Sequence, residues 1–197
     1  MALASMMKWN LHHMNVKTAF LNGVIEEEVY IEQPQGFKVE GRRTHVCKLK
    51  KAFYGLKQAL RAWYGRIDSF LTSLDFTKSK ADPNLSFKVI EDEPVILLLY
   101  VDDLFLTENE KQIVECKNKL AEEFEMKDLG LMHYFLGLEV WQSSEGIFLN
   151  QGKYAVEILK RFDMLECKAM ATPMDTHLNF SVDASSELVD VTLYRCI

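Results

Sequence analysis

Val95-Ile96-Leu97-Leu98-Leu99-Tyr100-Val101-Asp102-Asp103-Leu104-Phe105-Leu106-Thr107 is the stretch on which the fold turns. From Val95 to Val101 it is apolar almost throughout, which suits a strand buried on both faces. Two carboxylates interrupt the run, and the apolar pattern resumes at Leu104. Upstream, Leu85 to Ile90 is another short extended run, separated by the charged loop Glu91 to Pro94. Strands meeting through Asp102-Asp103 predict a hairpin with two carboxylates at its tip. Adjacent like charges repel, and without a cation one of them tends to keep its proton. A divalent ion such as Mg²⁺ removes that conflict, because it is hard and prefers carboxylate oxygens. Beside a nucleoside triphosphate, such a pair can hold two ions and stabilise in-line phosphoryl transfer. The plain alternative is an acidic surface turn, since Asp favours turns.

Working outward, Asp82-Pro83 marks a turn before the hairpin. Before that turn, Gln58 to Leu74 reads as a helix, with Trp63, Ile67, Phe70, Leu71 and Leu74 in one apolar stripe. Lys57, Arg61 and Tyr64 fall on another face, free to meet a phosphate or a base, and Gly55 suits a tight entry. After the hairpin, Glu110 to Phe124 is a second amphipathic helix through Ile113, Cys116, Leu120 and Phe124, broken by Asp128-Leu129-Gly130. Tyr134 to Trp141 and Ile147 to Leu149 predict a second hairpin around Ser143 to Gly146. Lys153 to Phe162 predicts a third helix, and after Pro173 the pattern fades. At the start, Met1 to Lys8 suits the end of a helix, and Trp9 to Leu21 reads as a strand running into a turn at Leu21-Asn22-Gly23. Val29-Tyr30-Ile31 and Val46 to Leu49 are short extended runs around a loop from Gln33 to Thr44. The main elements therefore run strand, helix, strand, strand, helix, strand. That order predicts an α+β, ferredoxin-like domain, one antiparallel sheet covered by two helices. The expected domain occupies residues 1–175, with a poorly packed tail over 176–197.

The 197 residues are 48% hydrophobic and 26% charged, ordinary values for a globular chain able to bury a core. No apolar run is long enough to cross a bilayer, and the N-terminus carries no secretory pattern. Cys47, Cys116, Cys167 and Cys196 are too scattered for a zinc or disulfide framework and suit a reducing compartment. The net charge of −6 hides an uneven distribution. Lys38 to Arg66 holds nine basic residues against Glu40 alone, while the remainder is strongly acidic. Such a strip can track phosphates, or it can be only a solvated face.

Tyr100-Val101-Asp102-Asp103 resembles the polymerase signature of reverse transcriptases. Val16-Lys17-Thr18-Ala19-Phe20-Leu21-Asn22-Gly23, Glu26-Glu27-Glu28-Val29-Tyr30 and Glu32-Gln33-Pro34 narrow the resemblance to the copia-type retrotransposons. Tyr54-Gly55-Leu56-Lys57-Gln58-Ala59 with Arg61-Ala62-Trp63-Tyr64 is similar to that family's template-contacting motif. Lys127-Asp128-Leu129-Gly130 and Tyr134-Phe135-Leu136-Gly137-Leu138-Glu139-Val140 resemble the segment ending in its primer grip. The likeness runs from Trp9 to Met174, through Lys153-Tyr154 and Thr172-Pro173-Met174, with a weaker echo at Leu193-Tyr194-Arg195.

The resemblance implies a polymerase palm performing RNA-directed DNA synthesis within a transposable element. Asp102 and Asp103 would be catalytic metal ligands for two Mg²⁺ ions. Phe20 would select deoxynucleotides by blocking a 2′-hydroxyl, unless it is a plain core aromatic. Gln58 would lie near the template or the incoming nucleotide, and Tyr100 would be a nucleotide-binding residue. Lys57, Arg61, Phe135, Leu136, Gly137 and Glu139 would contact the RNA or DNA primer–template. The family places a third catalytic carboxylate where this chain has Asn15, which brings no charge to a hard ion. Leu60 stands where the family has Pro, and Glu108 where it has Gly. The expectation is weakened metal binding and severely impaired polymerase activity. The resemblance also implies partner segments outside this chain: most of the fingers, the rest of the thumb and a ribonuclease H domain. It implies an intracellular setting, in a cytoplasmic particle or the nucleus. A non-catalytic nucleic-acid-binding remnant using Lys38 to Arg66 is the alternative.

Overall fold

The strand period of two residues sorts the central strands into an apolar face and a mixed face. The computed structural model describes residues 1–108, 110–171 and 190–192, with residues 108, 110 and 111 by backbone alone. In chain order the elements are α1 (Ala2–Met7), β1 (Asn10–Val16), a 3-10 turn (Ala19–Asn22), β2 (Tyr30–Glu32), β3 (Val46–Lys48), α2 (Ala59–Ser73), β4 (Thr77–Lys78) and β5 (Leu85–Ile90). They continue with β6 (Glu93–Tyr100), β7 (Asp103–Glu108), α3 (Glu110–Glu123), β8 (Met126–Leu131), β9 (Tyr134–Phe135), β10 (Leu138–Ser143), β11 (Gly146–Asn150) and α4 (Gly152–Arg161). The fold is mixed α and β with antiparallel pairing. Six strands form one sheet in the order β4-β5-β6-β7-β1-β8. β2 and β3 pair separately, and β10 lies between β9 and β11.

The chain divides into two compact units. The first joins Met1–Phe135 to Val140–Phe148 and contains the six-stranded sheet. The second joins Leu136–Glu139 to what is described of Leu149–Ile197. In the first unit, Met14 and Val16 from β1, Val95, Leu97 and Leu99 from β6, and Leu104 and Leu106 from β7 share one core. Trp63, Ile67 and Leu71 of α2 and Cys116, Leu120 and Phe124 of α3 close over it, so both helices cover the same face of the sheet. Each fully buried aliphatic side chain contributes roughly 1.5–3 kcal/mol to that packing. Gly23 follows the 3-10 turn, where an added Cβ would sit 2.8 Å from the Ala62 and Trp63 backbone. The chain can approach α2 that closely only without a side chain. The other face carries a smaller core of Ala4, Leu11, Phe105, Met132 and Val140.

The expected helices lie within a residue or two of their observed bounds, and Gly55 takes a positive φ of 96° just before α2. Three expectations are corrected. The run from Val95 to Val101 is not buried on both faces: Val95, Leu97 and Leu99 are, but Ile96 and Leu98 are half-buried and Val101 is in a turn. Both helices sit on one side, so only alternate residues gain full cover. Asp128-Leu129-Gly130 does not merely break a helix but lies inside β8, an almost wholly exposed strand added at the edge of the sheet. Its polar sequence hid it, since an edge strand needs backbone bonds rather than an apolar face. The single strand expected over Tyr134 to Trp141 is interrupted at Leu136 and Gly137, whose φ values of 49° and 81° are left-handed. The boundary expected at 175/176, the tail, Thr172-Pro173-Met174, Leu193-Tyr194-Arg195 and Cys196 lie outside the described residues. Cys47 and Cys167 are free thiols, and Cys116 is buried in the core under α3. Among the described residues, no helix is long and apolar enough to cross a membrane.

Candidate active site

β7 pairs with both β1 and β6, and this fixes the geometry of the carboxylates. Asn15 lies opposite Asp103 across one ladder, and Tyr100 opposite Asp103 across the other. The hairpin turns through Val101 and Asp102, with Val101 at φ 55°. A positive φ at the first of two turn residues suits the right-handed twist of a hairpin, but a β-branched residue is strained there. Two contacts hold the turn in place. The Trp63 indole Nε1–H donates to the Val101 carbonyl at 2.6 Å, and the Val16 N–H donates to the Asp102 carbonyl at 2.7 Å.

Asn15, between buried Met14 and Val16, faces away from the helices. Its Nδ2 donates to Asp102 Oδ2 and to Asp103 Oδ1, each at 2.9 Å. The amide nitrogen, the donor of this side chain, is therefore the atom that faces both carboxyl groups. His13, two residues earlier on the same side of β1, places Nε2 2.8 Å from Asp103 Oδ1 and stacks on Phe105 with ring centroids 4.7 Å apart. His13 belongs to none of the motifs quoted above. Its two-residue spacing from Asn15 was the available signal.

A cavity of about 440 Å³ adjoins Asp102 and is lined by Val16, Phe20, Phe53, Tyr54 and Val101, among others. The Phe20 and Tyr54 rings flank it at 6.0 Å, and Tyr54 is 84% exposed. Gln58 does not line this cavity. It lines a separate groove with Arg61, Arg66 and Glu27. Tyr100 also stays out of it and packs edge-on against Phe135 at 5.6 Å. Phe135 in turn meets Phe105 edge-on at 4.8 Å. Leu136, Gly137 and Glu139 belong to the second unit, where Glu139 Oε2 accepts the Lys153 N–H at 3.0 Å at the start of α4. Leu60 is exposed in the first turn of α2. The Glu108 side chain lies outside the described residues.

The basic strip is divided by its partners. Lys48, Arg61 and Arg66 pair with Glu28, Glu27 and Glu123. Lys38, Arg42, Arg43, Lys50, Lys51 and Lys57 form no ion pair among the described residues. The hydrogen bonds from Lys48 and Tyr30 hold the Glu28 carboxyl below its usual pKa.

Among the described residues, only Asp102 and Asp103 offer carboxylate oxygens at the hairpin tip. The amide between them presents hydrogen-bond donors where a third ligand would need a lone pair. Among the described residues, no three His, Cys, Asp or Glu side chains gather in a way that could hold a metal ion. The residues present therefore do not fit a three-carboxylate seat for divalent ions.

The family profile described as reverse transcriptase (RNA-dependent DNA polymerase) matches residues 1–176. The chain is 42% identical over 185 residues to a retrovirus-related Pol polyprotein from transposon TNT 1-94 of Nicotiana tabacum, covering 92% of this chain and 14% of that protein. It is 37% identical over 190 residues to the Pol polyprotein from transposon RE2 of Arabidopsis thaliana, covering 96% of this chain and 13% of the relative. A putative transposon Ty5-1 protein of Saccharomyces cerevisiae is 34% identical over 186 residues, covering 93% of this chain and 60% of its own length. No solved structure matches significantly. With its hairpin motif and these relatives in agreement, the chain belongs to the reverse transcriptase family, as a domain of the copia-type retrotransposon Pol polyproteins.

Proposed function

We propose that this chain carries the ferredoxin-like palm of an RNA-directed DNA polymerase, and that this copy is severely impaired in catalysis. The strand order β8-β1-β7-β6, with α2 after β1 and α3 after β7 on one face, supports the palm. The observation that carries the catalytic reading is the meeting of Asn15, Asp102 and Asp103 within 2.9 Å at one hairpin tip. The family is generally metal-dependent, and Mg²⁺ ions would supply charge stabilisation for nucleotidyl transfer. Here Asp102 and Asp103 are the ligands on offer, and Asn15 opposes them with N–H groups. Phe20, in the wall of the cavity beside Asp102, would bar a 2′-hydroxyl, and Tyr54 gives that cavity a second ring. Primer–template and deoxynucleotides are the substrates of this reading. The remaining fingers, thumb and ribonuclease H segments of a polyprotein are its partners, in a cytoplasmic particle or the nucleus.

Primer extension with Mg²⁺ or Mn²⁺ tests it, comparing the parent with Asn15→Asp. The revertant should exceed the parent by roughly 100-fold or more, several kcal/mol of transition-state stabilisation. A fully active parent rejects the impairment.

The six cations without ion pairs, with exposed Phe37 and Tyr54 among them, favour a second reading. In it the strip binds nucleic acid whether or not the site is active. Replacing Lys50, Lys51 and Lys57 by Ala should weaken primer–template binding and flatten its salt dependence by about three units of slope. Replacing the paired Arg61 should do less. Unchanged affinity removes the strip as a contact surface.

A further inference from the structure

The turn that carries Asp102 and Asp103 contains three features that work against it. Two carboxylates are adjacent, a β-branched residue sits at φ 55°, and the nearest core residues are apolar. In a site built for cations, the ions would offset the first of these. Here a different set of contacts does so. The Asn15 amide bridges Asp102 Oδ2 and Asp103 Oδ1, and His13 Nε2 meets the same Asp103 oxygen. Behind them, Trp63 and Val16 hold the backbone carbonyls of Val101 and Asp102.

We infer that Asn15 and His13 are positioning residues that cross-brace the Asp102-Asp103 tip through side-chain hydrogen bonds, so that this chain closes its carboxylate site without a divalent ion. Two of these bonds join β1 to β7, and the third joins β1 to the turn at Asp102. Asn15 lies between two fully buried residues on β1, so its Cα is held at a fixed place opposite the carboxylates. Its two donor contacts converge on one point between the carboxylates. A cation entering there would displace both and gain no third anionic ligand in return. By contrast, Asn15→Asp would set three carboxylates around that point. The tip would then open or require an ion, and folding stability would become linked to divalent metal.

The inference rests on reading this tip as a nucleotidyl-transfer site only for the choice of ion. Its test uses neither primer nor nucleotide, so a failed primer extension does not bear on it. Thermal unfolding of the whole chain is followed in EDTA and in millimolar Mg²⁺ or Mn²⁺, for the parent, Asn15→Asp and Asn15→Ala. The parent Tm should agree within about 1 °C across the three conditions, and Asn15→Asp should be lower in EDTA and rise by roughly 4 °C or more with the ion. Asn15→Ala removes the brace without adding charge and should show a smaller rise of the same sign. It also carries the test if Asn15→Asp fails to fold. In parallel, Mn²⁺ should leave the parent's NMR signals from Asn15, Asp102 and Asp103 no broader than those of other surface carboxylates. A parent Tm that climbs with Mg²⁺ as steeply as that of Asn15→Asp overturns the inference. So does selective broadening at the tip of the parent, or a metal-insensitive Tm in both variants.

Discussion

Under α2 and α3, Met14, Val16, Leu97, Leu99, Leu104 and Leu106 of the six-stranded sheet are buried among apolar side chains. On the opposite face, the same three strands carry His13, Asn15, Tyr100 and Asp103. The two sets alternate one residue apart. These polar groups are therefore positioned by the core without being inside it: the Asn15 backbone is held between buried Met14 and Val16. The covered face depends on close packing between helices and sheet. The open face depends on hydrogen bonds between strands, with a small aromatic cluster of Phe105, Phe135 and Tyr100 beside them. The polar groups gather where cover is incomplete, because they need partners or solvent.

Substitutions that separate the two faces test this contrast. The largest effect is expected on the covered face. Trp63→Ala empties a fully buried site against Phe124 and also removes the donor to the Val101 carbonyl. It should cost about 5 kcal/mol in denaturant unfolding, the upper end for such truncations. Phe105→Ala on the open face should cost about 3 kcal/mol, because water and neighbouring side chains can partly refill the space. Equal costs would mean that the two faces are equally well packed. The smallest effect concerns pH. Partial burial raises the Asp128 pKa, but hydrogen bonds from the Lys117 ammonium and the Gly130 N–H outweigh it, and the net position is below the usual carboxylate value. A lowered folded-state pKa adds stability above the ordinary carboxylate range, and that stability is lost as pH falls through the lowered value. Asp128→Asn should therefore lower stability slightly near neutrality and change little below the lowered pKa, which flattens the acid limb between the two. Identical acid limbs in the two proteins would mean that the Lys117 pair does not contribute.

Much of this was legible beforehand for a physical reason. The helical stripes of α2 and α3 and the apolar runs around Asp102-Asp103 are periodic, and periodicity reports which face is buried. The carboxylate pair and the residue at Asn15 were identified as one group through motif resemblance. Their separation of 87 residues along the chain gives no local signal of contact. β8 escaped notice because an exposed edge strand needs no apolar alternation. Gln58 and Phe20 looked equally placed for a nucleotide, yet only Phe20 reaches the cavity beside Asp102.

From the amino-acid sequence alone came the family, most of the element order, the two adjacent carboxylates and an uncharged residue at position 15. Each is a property of residue identity and spacing along one chain. Only the tertiary structure decided that the Asn15 amide turns its nitrogen to both carboxylates, that His13 joins them, and that three of the strip's cations are already paired. Those facts depend on strand register and on side-chain direction across long sequence separations. Both are set by the packing of the sheet, which no short stretch of the chain encodes.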